Sequence, residues 1–174
     1  MSERGLSIRR LIYIAVMTAI LEAAKISLNA IANVELITLL VIIFTKQFGW
    51  RMSLPVVILF AFIECTYWGF GTWSIVYFYM WPLLVFLAHL CRHAESVWTY
   101  AALSAAFGLT FGAFCSVLTV FIGGFKAAIS FWIAGIPYDL VHCAANFIIC
   151  VLLYVPLNRA LEIMKRKSGI SFPE

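Results

Sequence analysis

The chain has 174 residues, of which 64% are hydrophobic and 11% charged, and its mean hydropathy is +1.02. Soluble domains are about 45–50% apolar and about 25% charged, so this composition excludes a soluble globular protein and indicates an integral membrane protein. Six spans of roughly 20 residues with short turns would use nearly all of the chain, which leaves no room for a soluble catalytic domain. The net charge of +4 does not indicate nucleic-acid binding, because the basic residues flank apolar segments.

The apolar segments predict one all-α transmembrane domain, residues 1–174, built as a bundle of six helices. The second predicted helix is short for a full span, so either it is tilted or the loop before it dips into the protein. The basic start of the chain resembles a signal peptide, but the long apolar run that follows is interpreted as a retained first helix. The helices are expected at about Leu6–Leu28, Val34–Phe48, Met52–Trp68, Trp73–Cys91, Val97–Ile122 and Pro137–Met164.

The distribution of basic residues predicts the topology. Most of them lie in the N-terminal tail, in the second-to-third and fourth-to-fifth connections, and at the C-terminus. The other connections have only Lys25 and Lys126 nearby. Because positive charge favours the cytoplasmic side, both termini are expected in the cytoplasm. The outer connections are then Asn29–Asn33, Gly69–Thr72 and Gly123–Gly135.

The first helix has a stripe of alanines followed by polar residues. Ala15, Ala19 and Ala23 are four residues apart and therefore lie on one face, which would allow another helix to pack closely. Glu22 and Lys25 follow at a point where polar side chains near lipid need partners. They either neutralise each other or serve a site, and the sequence leaves both open.

Polar and aromatic residues gather at the predicted outer side, which predicts a pocket for a small molecule with aromatic and polar groups. Asp139, His142 and Asn146 are three and four residues apart and so share one helix face. The alternative for the aromatic residues is that they only anchor the membrane interface. The candidate substrate-binding residues are Asn33, Glu35, Glu64, Trp68, Trp73, Tyr77, Lys126, Trp132, Tyr138, Asp139, His142 and Asn146.

Catalytic and metal-binding motifs are absent from the sequence. It has no HExxH, no nucleophile elbow and no GxxxxGK[ST] phosphate loop. The five cysteines lie in or beside apolar runs without a CxxC pair, so they are interpreted as small packing residues. We therefore expect no enzyme activity, no cofactor and no metal site.

Several segments resemble the substrate-binding S component of energy-coupling factor (ECF) vitamin transporters. They are the alanine pair in the first helix, the segment NVELITLL from Asn33, the segment YFYMWP from Tyr77 and the segment GIPYDLVHCAAN from Gly135. Chain size, six spans and cytoplasmic termini also agree with that family, and the resemblance covers essentially the whole chain.

The resemblance implies a bacterial plasma-membrane protein that captures a vitamin or related micronutrient from outside and hydrolyses nothing itself. Ala15 and Ala19, with Ala23 on the same stripe, would dock on a transmembrane coupling subunit, and two cytoplasmic ATPase subunits would power the cycle. Among the ligands of the family, cobalamin or a queuosine precursor is the expectation.

Three other interpretations remain open. A self-sufficient proton-coupled carrier could use Glu22, Glu64, Asp139 or His142 as its relay, since acids inside the membrane often have that role. A membrane enzyme could use Asp139 and His142, although no nucleophile or metal set completes such a site. A structural membrane subunit would bind no small molecule at all.

Overall fold

The computed structural model describes the backbone of residues 3–168 and the side chains of residues 8–167. Within that range the chain is helical, without strands, and all five helices are apolar enough to belong to a membrane bundle. Four of them contain segments long and apolar enough to cross a membrane, and the short second helix does not by itself. The helices are α1 (Glu3–Leu28), α2 (Ile37–Phe48), α3 (Trp50–Trp68), α4 (Thr72–Leu90) and α5 (Val97–Ser168).

The structure has five helices in its described range, whereas the sequence predicted six. The predicted outer connection Gly123–Gly135 is wrong, because α5 is helical through this region except at Gly124, whose φ of 77° and ψ of 176° are non-helical. Glycine adopts a positive φ without steric cost, so one residue is enough to break the helix. Pro137, the predicted start of a sixth helix, lies inside α5.

The break at Gly124 divides α5 into a first limb, residues 97–123, and a second limb, residues 125–168, which lie side by side. Near the break, a Cβ atom at Gly112 would approach the carboxylate of Asp139, and further away one at Gly108 would lie 2.9 Å from the carbonyl of His142. Further still, the rings of Tyr100 and Tyr154 stack with centroids 4.7 Å apart. Across these three pairs, the residue from the first limb lies progressively earlier in the sequence and the residue from the second limb progressively later. The two limbs therefore run antiparallel.

Helix α2 lies at the centre of the bundle and packs against α1, α3, α4 and α5. Every residue from Ile37 to Thr45 is buried, which explains its uninterrupted apolar sequence. Its 12 residues extend about 18 Å at 1.5 Å per residue, well short of a hydrocarbon core of about 30 Å. The connection that precedes it is partly buried at residues 33–36, which agrees with the second of the two expectations for this short helix, a loop that dips into the protein.

Helix α1 turns one face to the bundle and the other away from it. Met17, Leu21 and Ala24 are buried, and the opposite face carries large exposed apolar side chains such as Val16 and Ile20. An exposed apolar face of this kind suits lipid or another membrane helix. The predicted alanine stripe, Ala15, Ala19 and Ala23, lies on that exposed face.

Basic residues from several elements meet at the end of the bundle where α1 begins. Arg10 Nη2 donates to the carbonyl oxygen of Arg51 at 2.7 Å, and Lys46 Nζ donates to the carbonyl oxygen of Ala94 at 2.6 Å. Lys165 donates to the carbonyl oxygen of Gln47. This arrangement gives the bundle one basic end and leaves the connection between α1 and α2 at the opposite end. The side chain of Arg4, which also entered the topology prediction, lies outside the described residues.

Candidate functional site

A cavity of about 170 Å³ lies at the end of the bundle opposite the basic residues. It is bounded by the C-terminal turn of α1, the connection that precedes α2, the middle of α4 and both limbs of α5. Aromatic, aliphatic and charged side chains all contribute, which is typical of small-molecule sites. The lining residues are Lys25, Leu28, Asn29, Ile31, Ala32, Asn33, Val34, Glu35, Ile37, Tyr77, Trp81, Phe111 and His142.

Glu35 is held in the cavity wall by two elements. The backbone N–H of Thr38 donates to Glu35 Oε2 at 2.8 Å, so the carboxylate caps the N-terminus of α2, where the helix dipole favours negative charge. His142 Nε2 lies 3.3 Å from Glu35 Oε1. Burial alone would raise the pKa of the Glu35 carboxyl, but the hydrogen bond and charge of His142, together with Thr38, hold that pKa below its ordinary value.

The predicted face of Asp139, His142 and Asn146 exists, but its three side chains have different surroundings. Only His142 reaches the cavity. Asp139 Oδ1 accepts a hydrogen bond from the Gly112 N–H at 2.9 Å and so joins the two limbs of α5. Asn146 Nδ2 donates to Thr38 Oγ1 at 3.3 Å, on α2. The face therefore fastens the second limb to its neighbours and contributes one residue to the cavity.

Lys25 links the cavity to a deeper group of acids. Its ammonium group donates to the Tyr77 hydroxyl at 3.2 Å and lies within electrostatic range of Glu35 and Glu64. The carboxyl groups of Glu22 and Glu64 lie close enough to interact, and Glu64 is only 2% exposed. Glu22 and Lys25 interact, but as part of a larger group that the three-residue spacing alone did not reveal.

Aromatic rings form one wall of the cavity. The ring centroids of Tyr77 and Trp81 are 5.4 Å apart, those of Trp81 and Phe111 are 6.4 Å apart, and those of Phe111 and His142 are 5.2 Å apart. Trp81 is 3% exposed, and its buried Nε1–H has no hydrogen-bond partner among the described residues. The wall thus offers flat apolar surface, and this N–H is not accessible from the cavity.

The structure divides the predicted binding residues into three groups. Four of them line the cavity, and three are buried beside or behind it. The other five are exposed, as aromatic and basic side chains at a membrane interface are. The residues that line the cavity are Asn33, Glu35, Tyr77 and His142. The buried residues beside or behind it are Glu64, Asp139 and Asn146. The exposed residues are Trp68, Trp73, Lys126, Trp132 and Tyr138.

The predicted binding set did not include nine of the thirteen lining residues, among them Lys25, Trp81 and Phe111. Lys25 was open to interpretation as a counter-ion of Glu22. Trp81 and Phe111 lie in apolar runs, where an aromatic residue that lines a cavity cannot be distinguished from one that packs in a core. No group of three or more histidine, cysteine or acidic residues suited to a metal occurs in the described part of the chain.

No protein-family model, curated protein or solved structure matches this chain. The fold and the site therefore define its class by themselves. It is an all-helical protein with the character of a multi-pass membrane protein, and it has a polar and aromatic cavity at one end.

Proposed function

We propose that the chain is the substrate-binding component of a bacterial plasma-membrane importer of the ECF type, and that it binds a vitamin or related micronutrient in the cavity. The observation that carries this proposal is the cavity itself, in which charged and aromatic side chains from α1, α4, α5 and the α1–α2 connection converge. Charged side chains inside an otherwise apolar bundle are energetically unfavourable. A binding function explains why they are present there.

The position of the cavity supports uptake from outside. Basic residues gather at the opposite end of the bundle, and basic ends of membrane proteins favour the cytoplasm. The proposed arrangement has six crossings, with each limb of α5 crossing once and both termini in the cytoplasm. The ligand then enters from the outer surface.

The exposed alanine stripe supports the expected partner, a transmembrane coupling subunit driven by two cytoplasmic ATPase subunits. Small side chains let another helix approach closely within the membrane. In this arrangement the chain binds and carries its ligand, and the ATPase subunits supply the energy.

The docking step is tested by Ala19→Trp, with Ala15→Trp as a second substitution on the stripe and Leu152→Trp as the matched control. Leu152 is an apolar residue of α5 that is 66% exposed, so its substitution adds the same bulk elsewhere. We expect the alanine substitutions to abolish uptake in cells that contain the partner subunits, while the purified chain still binds its copurified ligand. Unchanged uptake would contradict docking through this stripe.

A copurification experiment tests the binding function itself. Mass spectrometry of the purified chain should identify a bound small molecule, and Lys25→Met should reduce the bound amount. A chain that carries no small molecule and supports no uptake would contradict the proposal.

A self-sufficient proton-coupled carrier is a second candidate, favoured by the interaction between the carboxyl groups of Glu22 and Glu64 inside the bundle. Repulsion between two nearby carboxylates favours the retention of one proton, which such a carrier would move. Uptake by the chain alone into liposomes under a pH gradient would favour this candidate. An absolute need for ATP and partner subunits would exclude it.

A further inference from the structure

We infer that the cavity selects a neutral, planar nitrogen heterocycle of one or two rings that carries both N–H donors and carbonyl or ring-nitrogen acceptors. The inference rests on the proposed function and adds the chemical class of the ligand to it. Three features of the cavity carry the argument: its volume, the balance of its charges, and the unused hydrogen-bonding capacity of its wall.

The volume limits the size of the ligand. The cavity holds about 170 Å³, whereas sites for drug-sized ligands are typically about 300–1,000 Å³. A cavity of about 150 Å³ accommodates a molecule the size of benzene. One ring with small substituents fits within the walls, and a second fused ring can extend toward the open side. Cobalamin is far too large for this cavity.

The charged groups around the cavity already have partners within the protein. The Glu35 carboxylate has the Thr38 N–H and His142 beside it. The Lys25 ammonium donates to the Tyr77 hydroxyl and lies within electrostatic range of Glu35, Glu22 and Glu64. An anionic ligand would meet these acids, and a cationic ligand would meet Lys25. A neutral ligand avoids both penalties of unpaired charge in a site of low polarity.

Unused hydrogen-bonding capacity defines the polar pattern of the ligand. Lys25 uses one of its three N–H donors on Tyr77. Each oxygen of Glu35 retains a second lone pair, which can accept an N–H from the ligand.

The aromatic wall favours a flat ligand over an aliphatic one of the same volume. The rings of Tyr77, Trp81 and Phe111 are contiguous, so a planar ring can lie against them in offset or edge contact. A planar amide-like heterocycle combines this flat surface with donors and acceptors along its edges. Glu35 and Lys25 then recognise opposite hydrogen-bonding characters of the same molecule.

Three probes of nearly equal size separate charge from shape: nicotinamide, nicotinate and benzamidine. They are neutral, anionic and cationic at neutral pH, and each has one aromatic ring. Binding to the purified chain is measured by calorimetry and by the ligand-induced rise in unfolding temperature. We expect nicotinamide to bind at millimolar concentration, with nicotinate and benzamidine at least roughly tenfold weaker.

Two substitutions test the assigned contacts. Lys25→Met removes the donor but keeps an unbranched side chain, and Glu35→Gln removes the charge but keeps an acceptor for Thr38. Each should weaken nicotinamide binding by roughly tenfold. The matched controls are Lys167→Met and Glu95→Gln, which change an exposed lysine and a glutamate outside the cavity lining and should leave binding unchanged.

The outcomes separate this inference from the proposed function. Binding of nicotinate or benzamidine as tight as that of nicotinamide would overturn the neutral class, and so would nicotinamide binding that neither cavity substitution weakens. Failure of nicotinamide to bind at millimolar concentration would also overturn it. In each of these cases a copurified ligand of another class would leave the proposed function intact, whereas the absence of any ligand and of uptake would contradict that function.

Discussion

Glu35 shows how one residue connects the fold to the site. It precedes α2, caps the first turn of that helix through the N–H of Thr38, and pairs with His142 from the second limb of α5. Three segments that are distant in sequence therefore meet at one carboxylate. Because the carboxylate is both a cap and a wall of the cavity, a change in its ionisation should affect stability and ligand binding together.

The lowered pKa of Glu35 predicts a loss of stability in acid. A group whose pKa is lower in the folded state stabilises the fold above its ordinary value, about 4.3 for glutamate, and this contribution is lost as the pH falls toward the folded pKa. We expect the unfolding temperature of the purified chain to fall as the pH drops below about 4.3, the ordinary value for glutamate. In Glu35→Gln this part of the pH dependence should be absent, and the unfolding temperature at neutral pH should be lower.

Glu95→Gln is the matched control, because Glu95 is exposed in the connection between α4 and α5. Its pH dependence should follow that of the unsubstituted chain. If Glu35→Gln and the unsubstituted chain lose stability in parallel as the pH falls, the carboxylate does not make the assigned contribution.

At the scale of elements, the packing of the two limbs of α5 determines where His142 lies. They approach so closely at Gly108 that a Cβ atom there would lie 2.9 Å from the backbone of His142. The pair of glycines, Gly108 and Gly112, is thus a packing surface within the chain. Close contact between the limbs holds His142 at the distance from α2 that its pairing with Glu35 requires.

Gly108→Ala should therefore destabilise the chain and weaken ligand binding. The added methyl group must push the limbs apart, and overpacking of this kind typically costs about 1–3 kcal/mol. Gly135→Ala is the matched control, because a Cβ atom at Gly135 would meet nothing within 4 Å. Alanine favours helix more than glycine does, so the control should gain about 0.5–1 kcal/mol. Denaturant unfolding and nicotinamide titration of both variants measure the effects, and equal behaviour of the two would contradict close packing at Gly108.

At the scale of the whole molecule, the proposed topology depends on the break in α5. If each limb crosses the membrane once, the chain crosses six times and both ends lie on the same side. If α5 did not reverse within the membrane, the ends would lie on opposite sides. The basic end of the bundle, which includes Arg10, Arg51 and Lys165, favours the cytoplasm for both termini.

Reporter fusions measure this topology directly. A reporter active only in the cytoplasm should be active at both the N-terminus and the C-terminus. A reporter active only outside should be active when inserted between Gly69 and Gly71, in the connection from α3 to α4. Cytoplasmic activity at only one terminus would contradict six crossings.

The sequence by itself determined the class of the protein and the approximate positions of most helices. Apolar composition and the placement of basic residues are properties of local segments, so they need no knowledge of tertiary contacts. The short length of α2 was also visible in the sequence, as was the possibility that its preceding connection dips into the bundle. Among the predicted binding residues, Glu35 and His142 were named because charged or titratable side chains are rare in apolar segments.

Only the tertiary structure decided where α5 reverses and which side chains share the cavity. The sequence around Gly123–Gly135 predicted a long connection. In the structure, the two antiparallel limbs are helical on both sides of Gly124, and only that residue departs from helical geometry. Asp139 and His142 lie on one helix face, but their partners belong to different elements, so one joins the limbs and the other reaches Glu35. Lys25 and Trp81 come together with them because contacts between distant segments depend on packing, which residue spacing along one helix does not specify.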